Sequence, residues 1–210
     1  PQSNNLVHKY YCDDFEALDN KNSYVILFTG KTGVGNTTGI NAAFNIIKGI
    51  KLEDNFRFEL ITEQEKPTGQ AESQTDGIHI YYIKDYADKP VILIDSQGYG
   101  DTRSIEKDKE INEAFAQIFS EEIDHINAAC FIAKATDNRL DILTRYIFSC
   151  VTCLFSDDIS SNFIVLATHA NDDTMDNGPA FAKTIITDAE FLKINTKMEK
   201  KWHYSFDGKS

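Results

Sequence analysis

No stretch of this chain reaches the ~18 consecutive apolar residues that a membrane-spanning helix needs, and no charged-then-apolar leader opens it. Basic residues are scarce. The 21 Lys and Arg stand against 33 Asp and Glu, giving a net charge of −12 and a pI near 4.8. Nucleic-acid binders neutralise phosphates with a basic face, so a nucleic-acid partner is not expected. A magnesium nucleotide stays compatible, because backbone N–H groups and the metal supply most of the neutralisation. Repeats and low-complexity tracts are absent too. Cysteine is limited to Cys12, Cys130, Cys150 and Cys153. The Cys150-x-x-Cys153 pair lies in the apolar stretch YIFSCVTCLF, with no second pair and no nearby His. It lacks the ligand count of a zinc site and the exposed helix start of a redox motif, so buried thiols are expected. Reduced thiols fit a cytosolic setting.

What is present suits one large globular domain: 210 residues, 41% apolar and 26% charged. The chain begins at Pro1 and stops at Ser210. The expectation is an excised domain, with any membrane anchor outside this fragment and residues 1–22 as a lead-in holding a short helix at 13–20. YVILFT (24–29) is a continuous apolar run, as in a strand covered on both faces. Thr37 to Lys48 follows as a helix with Ile40, Phe44 and Ile47 on one face and Gly49 closing it. FRFELI (56–61) alternates and reads as an extra edge strand, and the polar segment 62–76 as a mobile loop. IHIYYIK (78–84) and VILIDS (91–96) form a hairpin, with the second strand expected beside 24–29. Helices are expected over 105–122, 139–155 and 181–192, and strands over 127–134, 162–168 and 202–206. The inner face of the first of these helices is Ile111, Phe115, Ile118 and Phe119. Strands alternating with helices after one antiparallel hairpin predict an α/β fold, a mostly parallel sheet with helices on both faces.

The chemistry gathers at strand ends. GKTGVGNTT (30–38) follows a covered strand and opens a helix, in the G-x-x-x-x-G-K-[ST] pattern of a phosphate-binding loop. Gly30, Lys31, Thr32, Gly33, Val34 and Gly35 would curve their N–H groups around a phosphate, and the helix points its positive end at the same place. Thr37 would offer a hydroxyl to Mg²⁺, and Thr38 would reach the α-phosphate. The lysine of the pattern, however, is Asn36. Asp95 ends VILID and is followed by Gly98 in D-S-Q-G, placing a carboxylate at the magnesium sphere and an amide at the γ-phosphate. A threonine between the two stations should close over the metal. Of Thr62, Thr68 and Thr75, the last directly precedes the hairpin and is favoured. Thr168, His169, Asn171 and Asp172, in LATHAND, stand where a base would be read, with His169 as the planar surface and Asn171 or Asp172 as the polar contact. Asp207, in FDG, could add a polar group over the base. A ligand-free glycine turn, a strand-end turn and a capped turn are the plainer readings of these three motifs.

In order, GKTGVGNTT, ESQTDG, DSQGYGDTR and LATHAND resemble a septin-type GTPase, nearest to the immune-associated (GIMAP) GTPases and more distantly to the chloroplast outer-envelope import GTPases. KATDNRLD and WHYSFDGKS also resemble family landmarks. The resemblance spans nearly the whole chain. It implies a Ras-like three-layer G domain over residues 23–210, GTP or GDP as ligand with Mg²⁺, and pairing of two G domains in a homodimer or oligomer. It also implies a histidine packed on guanine, a position that His169 matches. Asn36, Thr75 and Gly98 fall at catalytic stations, and Thr37, Thr75 and Asp95 at the metal.

Two departures bear on activity. Tyr99 stands after Gly98 where Ras-like enzymes carry a water-orienting glutamine, and Gln97 is not an assured substitute. Asn36 removes a charge-assisted phosphate contact worth roughly 1.5–3 kcal/mol, or about 10–150-fold. Lys31 would normally point away from the γ-phosphate. Slow GTP hydrolysis, aided by dimerisation with Arg103 or Arg139 as candidate groups supplied across the pair, is therefore one expectation. A hydrolysis-deficient, nucleotide-gated interaction module is the alternative. An ATP-binding member and an acidic scaffold with an empty site remain as further readings.

Overall fold

The computed structural model describes residues 6–12, 22–51, 53–61, 77–86, 89–96, 105–134, 142–153 and 162–168. Its strands are β1 (Val7–Tyr11), β2 (Tyr24–Gly30), β3 (Ile78–Tyr86), β4 (Lys89–Ser96), β5 (Ala128–Lys134) and β6 (Phe163–Thr168). Its helices are α1 (Asn36–Ile47), α2 (Ile105–Glu121) and α3 (Ile142–Cys153). Among the described residues the strands form one six-stranded sheet in the order β1-β3-β4-β2-β5-β6. Every pairing is parallel except β3 with β4, the expected hairpin. As the sequence predicts, β4 lies beside β2, with Phe28 opposite Asp95.

Period-2 alternation divides the sheet into two covered faces. Val25 and Leu27 of β2, Ile92 and Ile94 of β4, and Phe131 of β5 face α2 and α3, joined by Ile111, Phe115, Ile118 and Ile147. Phe28, Leu93 and Ile132 face the other way and meet Ile40, Phe44 and Ile47 of α1. The chain is therefore a three-layer α/β fold with helices on both faces. Each fully buried Ile, Leu or Phe contributes about 1.5–3 kcal/mol of transfer free energy to this arrangement.

Three features differ from the sequence expectations. Residues 56–61 are not a sheet strand. They run along α1, where two asparagines one helical turn apart satisfy their backbone. Asn45 donates to Phe58 O and accepts from Phe58 N–H, both at 2.8 Å. Asn41 accepts from the N–H groups of Leu60 (2.8 Å) and Ile61 (2.9 Å) and donates to Ile61 O at 3.0 Å. Side-chain amides thus replace the ladder that a neighbouring strand would supply. The place beside β3 is taken instead by β1, a strand not foreseen within the lead-in. It pairs His8 with His79 and Tyr10 with Tyr81, and stacks Tyr10 on Tyr81 at 4.9 Å. The Cys150–Cys153 pair is the third. Cys150 is half-buried against the α2/α3 core, but Cys153, at the last residue of α3, is exposed rather than buried. Cys130 is buried as expected. The helix expected at 13–20, the loop 62–76, the helix 181–192 and the strand 202–206 lie outside the described residues.

Candidate nucleotide site

The C-terminal ends of β2, β4, β5 and β6 converge at one edge of the sheet, where the glycine turn passes into α1. Gly30 closes β2 against β5, opposite Ile132. A Cβ on Gly30 would stand 2.5 Å from the Ile132 carbonyl oxygen and 3.0 Å from Asn36 Oδ1, so only glycine fits. Gly33 (φ 75°) and Gly35 (φ 107°) adopt left-handed conformations that favour glycine, and between them Val34 N–H donates to Lys31 O at 3.4 Å. Val34 is buried and anchors the turn in the α1-side core. Gly35 caps α1 without a side-chain hydrogen bond, and the first turn of the helix carries no acidic residue. The positive end of α1 is left uncompensated by its own sequence, a setting that suits an anion. Thr32 and Thr38 are exposed, whereas Lys31 and Thr37 are half-buried.

Asp95 is the central electrostatic feature. It sits at the end of β4, on the same sheet face as Leu93 and α1, and is only 1% exposed. Its Oδ1 is buried with no hydrogen-bond partner. Desolvation pushes its pKa up to about 8. A buried carboxylate without a donor costs folding free energy unless something positive meets it. Asp95 and the Thr37 hydroxyl are hard oxygen donors, the kind Mg²⁺ takes alongside waters and phosphates rather than in an all-protein cage. Among the described residues no cluster of three or more His, Cys, Asp or Glu forms a metal site of its own. The residues present thus fit a magnesium ion that arrives with a phosphate ligand. Next to Asp95, the Ser96 hydroxyl donates to Phe28 O at 3.2 Å and fixes the end of β4 to β2.

Thr168, at the end of β6, reaches the same edge. Its hydroxyl donates to Val34 O at 2.5 Å and lies 3.3 Å from Ala133 O, while its methyl packs on Gly35. The strand that leads to the predicted base-reading motif is therefore latched to the crown of the glycine turn. Asn36 folds into the turn. Its Oδ1 is buried without a partner in the space over Gly30.

Residues 30–38, Asp95 and Thr168 are thus brought to one edge by the fold. Thr75, Gly98, His169, Asn171, Asp172 and Asp207 lie outside the described residues, as do Thr62, Thr68, Gln97, Tyr99, Arg103 and Arg139. The amide pair Asn41 and Asn45 was missed by sequence reasoning. A signal existed: two asparagines at i and i+4 inside a helix, where asparagine is disfavoured, ask for a partner.

No family model matches this chain, and no curated protein matches it. Among solved structures it is similar to Toc33 from Arabidopsis thaliana in complex with GDP and Mg²⁺, with a TM-score of 0.52 and 14% identity over 83% of this chain and 68% of that one. A dimerization-deficient mutant of the same protein gives 0.52 and 12% over the same shares. Its complex with Mg²⁺ and GMPPNP gives 0.51 and 13%, over 86% of this chain and 68% of the other. At such identities the likeness bears on architecture alone: this chain shares the three-layer α/β fold of these structures, a mostly parallel six-stranded sheet with one antiparallel pair and helices on both faces.

Proposed function

We propose that this chain is a guanine-nucleotide-binding GTPase domain of the septin-type class, akin to the immune-associated GTPases, that holds GTP or GDP with Mg²⁺ and hydrolyses GTP slowly. The observation that carries this reading is Asp95: a desolvated carboxylate with an unpartnered oxygen, on the sheet face of the glycine turn that opens α1. In this reading the N–H groups of residues 33–38 cradle the phosphates, Thr37 and Asp95 hold the metal's water shell, and Thr38 meets the α-phosphate. Thr75 and Gly98 complete the γ-phosphate side, and His169, Asn171, Asp172 and Asp207 receive the base. Thr168 fixes the distance between base and phosphate subsites by holding Val34. Magnesium, when bound, neutralises charge on the β- and γ-phosphate oxygens. Pairing of two G domains in a homodimer belongs to the proposal, as does a cytoplasmic setting.

Asn36 favours a second reading of the same site, a nucleotide-gated interaction module without hydrolysis, because the side chain at the lysine's place in the turn is a neutral amide. Single-turnover phosphate release, measured over a range of protein concentrations, separates the two. A rate that rises with concentration supports the hydrolase, and no release at any concentration supports the module. Calorimetric titration with GDP and Mg²⁺ tests what both share. Absence of binding at millimolar GDP would refute them together, and equal displacement of GDP by ATP would refute guanine selectivity.

A further inference from the structure

The lysine position of the turn now holds a neutral amide, and the amide's oxygen is enclosed where the ammonium is missing. Asn36 Oδ1 is buried and unpartnered, 3.0 Å from the Cβ position of Gly30. The Ile132 carbonyl oxygen flanks that same point at 2.5 Å. Asp95, also buried with an unpartnered oxygen, lies on the same sheet face, opposite Phe28 and so two residues short of Gly30 along the β2 register. Two unpartnered oxygens, Asn36 Oδ1 and Asp95 Oδ1, thus lie toward the end of β2 and β4 where the nucleotide reading puts phosphate oxygens, in a chain of net charge −12. An amide oxygen set against a phosphate oxygen is repulsive unless a cation stands between them. Mg²⁺ does not suit that position, because it keeps its waters and its strict octahedron. A larger monovalent ion does suit it, since such ions exchange water for amide and carbonyl oxygens in irregular shells.

We propose, resting on the nucleotide reading above, that a monovalent cation of potassium's size binds between Asn36 Oδ1 and the β- and γ-phosphate oxygens and takes the place of the absent lysine ammonium. Binding of the triphosphate is then coupled to uptake of one such ion. The diphosphate, with fewer oxygens on that side, depends on it less.

The test is titration of the chain with GTP and GDP at fixed Mg²⁺ and fixed ionic strength, in chlorides of potassium, ammonium, sodium and choline. GTP should bind roughly 10–150-fold more tightly in potassium than in choline, the range expected for one charge-assisted phosphate contact. GDP should change less. The variant Asn36→Lys should bind GTP equally in all four salts. Equal GTP affinity in potassium and choline for the unaltered chain overturns the proposal: Asn36 would then meet the phosphate through its own amide hydrogens, and the nucleotide reading would stand. Potassium dependence that persists in a folded Asn36→Lys variant overturns it as well. Failure of both nucleotides to bind in every salt would remove the nucleotide reading itself.

Discussion

The two ends of this sheet treat their polar groups in opposite ways. Where β2 and β5 begin, Asn127 serves as a strand partner: its Oδ1 accepts from Val25 N–H at 2.7 Å and its own N–H donates to Val25 O at 2.9 Å. Beside it His125 Nε2 lies 2.9 Å from Ser23 O and Nδ1 2.7 Å from Asp124 Oδ1, and Asn162 donates to Ile126 O at 3.0 Å. At the other end Thr29 Oγ1, Asn36 Oδ1 and Asp95 Oδ1 are buried and unpartnered. Each such atom costs about 1–3 kcal/mol relative to a satisfied one. The first end is closed by the chain's own side chains, and the second keeps unpartnered oxygens that the proposed nucleotide site would use.

Replacing Asp95 by Asn should break this contrast most severely. The isosteric amide removes the charge, so the Mg²⁺-dependent part of GDP affinity should fall by about a hundredfold, equivalent to about 2.7 kcal/mol. Titration with and without Mg²⁺ reads it. The metal-free protein should respond in the opposite sense. In the fold the Asp95 pKa is raised to about 8, above the ordinary value near 4. Burial therefore favours the protonated acid, and the native state binds the proton more tightly than the unfolded chain does. Stability from this group is fully present below about pH 4 and is lost as pH rises toward 8. Thermal melts in chelator should show that decline in the parent chain and its loss in Asp95→Asn. Parallel profiles would mean that Asp95 is not the buried acid described here.

Gly30→Ala acts at the same end through sterics. The added methyl would stand 2.5 Å from a backbone oxygen of β5, which has no side-chain freedom to yield. The turn must shift, at about 1–3 kcal/mol of stability, and GDP affinity should drop about tenfold if the N–H groups of the turn hold the phosphates. A variant that melts lower but binds GDP unchanged would locate the phosphates elsewhere.

Much of this open end was legible beforehand, because the rules that make it are local. A covered strand, a turn with Gly30, Gly33 and Gly35, and a helix start lie within 24–41, and Asp95 closes an apolar run. The hairpin and the inner faces of α1 and α2 were legible for the same reason, since periodicity shows which residues face a core. The parts that were missed depend on long-range partners. β1 has one apolar residue before HKYY and earns its place only by pairing with β3 and stacking its tyrosines. FRFELI has the alternation of a strand, yet Asn41 and Asn45 claim its backbone from α1, and no pattern within 56–61 carries that information. Cys153 was misread because an apolar neighbourhood in sequence says little about the last residue of a helix, which here faces solvent. That Asp95 Oδ1 is buried without a partner follows only from the packed structure.

At the closed end the expected effects separate stability from binding. Asn127→Ala leaves the Val25 N–H without its side-chain acceptor and should cost about 1–3 kcal/mol, lowering the melting temperature by roughly 2–12 °C. GDP affinity should stay as in the parent, because the substitution lies at the opposite ends of β2 and β5 from Gly30. A binding loss comparable to that of Gly30→Ala would show that the two ends are coupled through the strands and that the division drawn here is false.

The smallest effect belongs to His125. The Asp124 hydrogen bond raises its pKa first, the Ser23 carbonyl adds to this, and burial opposes them. Since the folded pKa lies above the unfolded one, the stabilisation is complete below the ordinary imidazole value near 6.5 and disappears as pH climbs through the raised value. The ring is half-buried but its Asp124 partner is 65% exposed, so screening keeps the contribution below about 1 kcal/mol. Asp95 titrates over an overlapping range and in the same direction, so His125→Gln is best measured in the Asp95→Asn background. There the melting difference between the His and Gln forms should be greatest near pH 5 and shrink toward pH 9. A difference that is constant across that range would assign His125 a neutral hydrogen-bonding role.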